Sequence, residues 1–414
     1  MAEVIPFRGI LYNTSRVSGS DVVAPPYDII TPELRKALYE KSPYNIVGID
    51  FGEEHTSDNE TDNKYSRAAG CLNKWIEMGI LSRSDRPCFY AYEMRYTAAT
   101  GIKSLYGFFG LVRLEDLGNG IYPHEETHSK PKTDRLSLMK ACDANTSPIF
   151  SIYNSPARKT SAVIGRVMKE SPQIEAQDTM NNIHRLWVIE NRQDIAEISQ
   201  DLSDKAIFIA DGHHRYETAL EYRRMRGASS GKEPYNYVLM FLSNIADNNL
   251  TILPTHRVVR LKAGDVVEKL KGHFDIETIP LNADIINIMK DMMHVFGLYM
   301  KGDDKQYLVR YRGEGIRSTP PPLNTLDVTV LHNLVFKDLL DVTEVIYEMD
   351  VITAKEIVRN KGYDAVFFLN PTKVDDVEKV ALSSLRMPPK STYFYPKVMT
   401  GFVINSLKNS IQEV

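Results

Sequence analysis

Short apolar runs alternate with amphipathic stretches along most of the chain, and their periods sort them into two kinds. Cys88–Tyr92 and Tyr106–Leu114 have the aromatic-rich content of strands, with Thr97–Gly101 supplying the turn between them. Lys205–Ala210 reads as a buried strand. Tyr237–Ile245 and Thr251–Val259 read as two more, joined through Asp247-Asn248-Asn249, and Ala365–Leu369 as another. Helical spacing begins at Asp134–Lys140. It is clearest over His214–Arg226, where Tyr216, Ala219 and Leu220 recur at i, i+3 and i+4. Ala354–Asn360 and Val374–Leu385 are helical by the same criterion. The alternation predicts a mixed α/β (α+β) fold with several passages from strand to helix.

Breaks fall at His55–Lys64, Ala228–Pro234 and Arg317–Asn324, the last with three consecutive prolines. The first two read as loops, the third as a connection between larger units. With 414 residues there is room for two or three such units. A formal net charge of −4 gives no overall attraction to nucleic acid or anionic membrane, so any anion site must be local. Cys71, Cys88 and Cys142 are widely spaced and form no CxxC pair, which fits a reducing cytoplasm rather than a disulfide framework. No signal-peptide core stands at the start, and no apolar run approaches the ~18–20 residues that span a bilayer. The expectation is a cytoplasmic protein without nucleic-acid or membrane partners, its oligomeric state left open.

Against that background Ile209–Leu220, IADGHHRYETAL, is the most informative segment. A strand gives way abruptly to Asp211-Gly212-His213-His214-Arg215 and then to a helix. Gly212 permits a backbone conformation that a β-carbon would oppose, and Asp211 can cap the first turn. The N–H groups at a helix start carry partial positive charge and receive anions, and Arg215 adds a planar fork suited to phosphate oxygens. The adjacent histidines point in different directions, so at most one shares a ligand with Arg215. The i, i+4 spacing of a helical metal site is absent.

Two further polar clusters flank apolar runs. Tyr122-Pro123-His124-Glu125-Glu126-Thr127-His128 packs titratable groups into a loop opened by proline, with Lys130, Lys132, Asp134 and Arg135 close behind. A carboxylate there can serve as general base for a hydroxyl. Pro254-Thr255-His256-Arg257 ends another apolar strand. The stretch Met387–Lys397 combines prolines, aromatics, Lys390, Ser391 and Thr392, a grip for a carboxylate or phosphate.

Taken in order, Pro123-His124-Glu125, Asp211–Arg215 and Pro389-Lys390-Ser391-Thr392 resemble the free L-serine kinases of the ParB/sulfiredoxin superfamily. Asp364-Ala365-Val366-Phe367 and Pro371-Thr372 fall in the same order. Over nearly its full length the chain resembles a longer domain-of-unknown-function family with the same signature. The strings shared with it include Pro25-Pro26-Tyr27-Asp28, Ser147-Pro148-Ile149-Phe150, Pro254–Arg257 and the terminal motif Pro389-Lys390-Ser391-Thr392.

The resemblance implies a ParB/sulfiredoxin-like nucleotide-binding core with additional α/β domains. The expected division is 1–120 as an N-terminal α/β region, 121–260 as that core, and 261–414 as a C-terminal domain completing the substrate site. It implies a small-molecule kinase of serine metabolism that moves a phosphoryl group from ATP or ADP, with magnesium, to a hydroxyl. Glu125 would be the base, with Asp211 and His214 also catalytic and Asp211 near the metal. Gly212, His213, Arg215 and Thr218 would hold the nucleotide phosphates. His124, His256, Arg257, Lys390, Ser391 and Thr392 would hold the acceptor, free L-serine. The chain departs from the kinases in having Tyr393-Phe394 where they place Arg-His, and in a wider gap between Glu125 and Asp211. The alternative is a nucleotide-binding or hydrolysing regulator of the ParB type. A sulfiredoxin-like reductase would need a cysteine where His213 stands. No Walker A, HRD or DFG string is present.

Overall fold

In a computed structural model, all residues are described except 1, 99–100, 126–128, 228–230, 232, 263–264, 314–315, 317 and 409–414, with backbone alone at 129–131. Glu126, Thr127 and His128 of the proline-opened loop therefore lie outside the described residues, as does the Lys130 side chain. The fold is mixed α+β, and it divides into two compact units. The first comprises residues 1–123, 127–250 and 396–414, and the second residues 124–126 and 251–395. The proline-rich stretch around Pro320–Pro322, read from sequence as a connection between units, falls inside the second. The chain passes between units at 123, 126, 250 and 395 instead.

The first unit is built on a nine-stranded mixed sheet. Its order is Ile121–Tyr122, Ile207–Asp211, Ile149–Tyr153, Tyr237–Asn244, Gly101–Arg113, Phe89–Ala98, Ile183–Ile189 and Ile174–Gln177, with Val4–Ile5 beside Gly101–Arg113. The central strand Tyr237–Asn244 is buried along its whole length, which is why it reads as a continuous apolar run. The hairpin strands Phe89–Ala98 and Gly101–Arg113 extend past the apolar runs that predict them. Their ends carry polar residues joined across the strands, as in Ser104 Oγ donating to Glu93 Oε1 at 2.9 Å. Helices Ser129–Cys142 and His213–Arg226 pack on one another, and Tyr216, Ala219 and Leu220 of the latter enter the core with Ile207, Ile209 and Met240.

The second unit carries a six-stranded antiparallel sheet in the order Phe274–Pro280, Lys305–Tyr311, Val295–Met300, Ala365–Phe368, His256–Arg260, Glu344–Glu348. Period-two alternation sends Val258 into the core with Ala354, Ile357 and Val358 of the helix Val351–Asn360. It sends Arg257 to the opposite face, where an 11-residue π-helix, Val330–Leu340, lies against Phe367 through Phe336. The run expected as one strand, Thr251–Val259, is two, Thr251–Leu253 and His256–Arg260, because Pro254 supplies no N–H to a ladder. Thr251–Leu253 pairs instead with Tyr393–Tyr395.

Candidate functional site

The sequence-predicted residues fall into two groups, one in each unit. In the first unit, the strand Ile207–Asp211 ends in a register shift between Ile209 and Asp211, a bulge that re-aims the last side chain. Gly212, which has no side chain to cap with, follows at φ +94° as N-cap of the helix His213–Arg226. The expectation that Asp211 caps the first turn is thus corrected. Asp211 belongs to the strand, and its carboxylate lies between two cations, with Arg215 Nη2 donating to Oδ2 at 2.7 Å and Lys397 Nζ to Oδ1.

Arg215 is buried, and it turns inward rather than presenting an outward fork. Nη1 donates to the Pro148 carbonyl, and Nε finds no acceptor among the described residues. The guanidinium packs directly on Gly212, where a β-carbon would sit 2.8 Å from Arg215 Nε at the far end of a long side chain, and the positive φ favours glycine at this position. His213 is buried and His214 half-buried. The Thr218 hydroxyl donates to the His214 carbonyl at 2.7 Å, which ties it to its own helix.

The Pro25–Asp28 string lies near this turn. The Arg135 guanidinium stands 4.1 Å from the Tyr27 ring centroid, and burial raises the Tyr27 phenol above its ordinary value against the pull of Arg215 and Arg135. Arg135 is itself held by Asp134 at 2.7 Å and by Asp50 at 3.4 Å. A cavity of about 660 Å³ runs along the same helix, lined by Lys132, Thr133, Glu217, Thr218, Glu221 and Arg224 among others. That volume is within the range of small-molecule sites.

In the second unit, His124 and Glu125 run beside Met387, and Glu125 meets the C-terminal motif directly. Glu125 Oε1 accepts from the Thr392 N–H and from Thr392 Oγ1, both at 3.2 Å. His124 Nε2 lies 2.7 Å from the same hydroxyl. That hydroxyl has one proton, so when it gives it to Glu125 the imidazole is the donor to it. Thr372 Oγ1 donates to the Ser391 carbonyl at 2.8 Å and Ser391 Oγ to the Pro388 carbonyl at 2.6 Å, so the turn is tied on both sides. Lys390 is exposed at its tip, in the left-handed region at φ +56°.

His256 and Arg257 are closed off from solvent. His256 Nδ1 accepts from the Leu369 N–H at 3.3 Å, and Nε2 has no hydrogen-bond partner among the described residues. Burial and the adjacent Arg257 push the imidazole down to about 4, so it is neutral. Of the residues expected to hold an acceptor, only Lys390 is exposed.

Magnesium fits this arrangement poorly as a metal held by the protein. Both Asp211 oxygens are engaged by cations, and among the described residues no group of three or more His, Cys, Asp or Glu side chains is arranged to hold an ion. Among the same residues, no helix is long and apolar enough to cross a membrane.

Sequence reasoning missed Lys397 as a partner of Asp211, and His332 and Tyr347 beside Arg257. Lys397 had a signal, its place in the rigid basic string after Pro396. His332 had none, being embedded in the apolar run Val328–Leu340.

Fold and site together define a mixed α+β protein with a cationic strand-to-helix turn in one unit and a hydrogen-bonded carboxylate in the other. The chain belongs to the DUF1015 family, described as proteins of unknown function, whose model matches residues 4–329. No curated protein matches it. Among solved structures it is similar to a free serine kinase in complex with AMP, at 14% identity and TM-score 0.35, covering 71% of this chain and 91% of that one. It is similar also to a conserved hypothetical protein from Pyrococcus furiosus, at 14% and 0.35, covering 72% and 95%. SbnI with a C-terminal truncation, from Staphylococcus aureus, is similar at 14% and 0.38, covering 72% and 89%. These likenesses are too remote to assign a role to any residue here.

Proposed function

We propose that the chain is a phosphotransferase that moves a phosphoryl group from ATP or ADP to the hydroxyl of a small molecule, with free L-serine as acceptor and O-phosphoserine as product. The observation that carries this reading is the Glu125 carboxylate, fixed on one oxygen by two donors from Thr392. A carboxylate held this way can orient a hydroxyl at little further entropic cost. A carboxylate is a weak base. A weak base suffices where the transition state is loose and the hydroxyl proton leaves late. Glu125 takes that proton, the acceptor oxygen bonds to the terminal phosphorus, and the bond from phosphorus to the nucleotide's bridging oxygen breaks.

The turn at Gly212 supports the donor role. A helix N-terminus whose N-cap is a glycine, with Arg215 and Lys397 beside it, suits the phosphates of a nucleotide. In this reading Gly212, His213, His214 and Arg215 hold the donor, and Asp211 orders the two cations. Lys390, the exposed cation at the tip of its turn, is suited to the acceptor's carboxylate. His124, Ser391 and Thr392 hold the turn and the base.

The test is to incubate the purified full chain with ATP or ADP, magnesium and L-serine and to follow O-phosphoserine by phosphorus NMR. The proposal expects product that depends on all the components. Nucleotide binding or hydrolysis with no dependence on any hydroxyl acceptor would instead select the regulatory reading.

A further inference from the structure

The Glu125–Thr392 group is joined to a deeper set of residues that the reading above leaves without a role. Arg257 is 1% exposed, and its guanidinium donates to neutral acceptors. These are His332 Nε2 at 3.3 Å from Nε, the Thr255 carbonyl from Nη1, and the Lys390 carbonyl at 3.0 Å from Nη2. Burial pushes Arg257 down to about 10, while the Tyr347 and Glu125 side chains act in the opposite sense, so the cation persists at neutral pH and feels the Glu125 carboxylate.

The carbonyl that Arg257 holds is not an arbitrary one. Lys390 is a non-glycine residue at φ +56°, a conformation that persists only where the surroundings enforce it. The next residues along are Ser391 and Thr392, whose N–H and hydroxyl meet Glu125.

His332 stands at the far end of this chain of contacts, in the π-helix Val330–Leu340. Wide helical turns of this kind are rare and cluster at functional sites. Burial and the Arg257 charge push the imidazole down to about 3, so the ring is neutral and its Nε2 accepts. Phe336, with its ring 5.2 Å from that of His332 and 5.4 Å from that of Phe367, fixes the imidazole against the sheet.

We propose that Arg257 and His332 are positioning residues for Glu125. The imidazole fixes the guanidinium, the guanidinium fixes the Lys390 carbonyl, and the turn so held presents Thr392 to the carboxylate. Arg257 thereby acts on the base rather than on the acceptor's carboxylate. The kinetic consequence rests on the phosphotransferase reading; the relay of contacts does not.

Two readouts on the full chain test this, amide hydrogen exchange at 388–392 and steady-state kinetics with L-serine. In His332→Leu the Thr392 amide exchanges about tenfold faster, and kcat falls about tenfold while KM for the acceptor stays within about twofold. His332→Gln, whose side-chain carbonyl can accept the same N–H, restores both. Should His332→Leu also lose protection in the second-unit strand Lys305–Tyr311, its fold has failed, and Arg257→Lys is judged by the same outcomes. Unchanged exchange at Thr392 overturns the proposal. So does a raised acceptor KM at constant kcat, which would make Arg257 a direct contact of the acceptor. If the wild-type chain transfers no phosphoryl group, the phosphotransferase reading fails, and the exchange measurement still decides the relay.

Discussion

The turn at Gly212 in the first unit and the Glu125–Thr392 group in the second hold charge by opposite means. At the turn, Asp211 is flanked by Arg215 and Lys397, and Arg135 by Asp50 and Asp134, so charge is met by opposite charge. In the second group Thr392 meets the carboxylate through its N–H and hydroxyl, and the buried Arg257 is held by two backbone carbonyls and an uncharged imidazole. Compensated charge can rearrange when a phosphate arrives, because an incoming anion competes with Asp211 for the same cations. Neutral hydrogen bonds have no such competitor, and they keep one geometry. The first arrangement suits binding and release, and the second suits holding a reacting group in place.

Breaking the turn at its backbone should have the largest effect on stability. In Gly212→Ala a β-carbon would meet Arg215 Nε at 2.8 Å, in a residue at φ +94°. We expect a loss of about 2–3 kcal/mol in urea unfolding together with weakened nucleotide binding. Equal stability of the variant and the wild type would show that the turn tolerates another conformation. On the other side of the comparison, Thr392→Val removes the hydroxyl shared by Glu125 and buried His124. That should cost about 1–3 kcal/mol and slow turnover, with Thr392→Ser close to wild type on both counts.

The contrast sharpens at Lys397. Lys397→Met should raise the nucleotide Kd about tenfold, or about 1.4 kcal/mol, and flatten the dependence of binding on salt. Calorimetry at two ionic strengths measures both. An affinity indifferent to this lysine would remove it from the phosphate site.

The smallest effect concerns pH. The folded value of His256, about 4, lies below the ordinary 6.5, so the unfolded chain takes up the proton first. Its contribution to stability is complete above about pH 6.5 and is lost as pH falls toward 4. His332, at about 3, acts in the same direction. Replacing His256 with Gln should make the fall in unfolding free energy between those values shallower. A parallel pH profile in the variant would mean that the histidine is not held neutral.

The two groups also differ in how far the sequence reveals them. Ile209–Leu220 is contiguous, so the strand, the glycine and the helix are legible together. The helix begins at His213, one residue before the expected start. What escapes is the fate of the side chains. Asp211 does not cap the helix, because the bulge turns it toward Arg215 and toward Lys397, which is 186 residues away.

The second group is assembled from segments far apart, with Glu125 and Thr392 separated by 267 positions. Only the resemblance of the motifs links them in the sequence. His332 and Tyr347 carry no local pattern, since tertiary packing alone brings them to Arg257. The mixed α+β class follows from the alternating periods, whereas the break at Pro254 needs the backbone chemistry of proline to be weighed against an apolar run.

The most direct measurement of the central claim uses one preparation of Glu125→Gln for two readings, nucleotide affinity at equilibrium and O-phosphoserine formation. Gln keeps an acceptor for the Thr392 donors and loses the ability to take a proton. A Kd within about twofold of wild type is expected, with product formation reduced by about 10³-fold, the scale of a positioned general base. Undiminished transfer in the variant, or a parallel loss of binding and transfer, would contradict it.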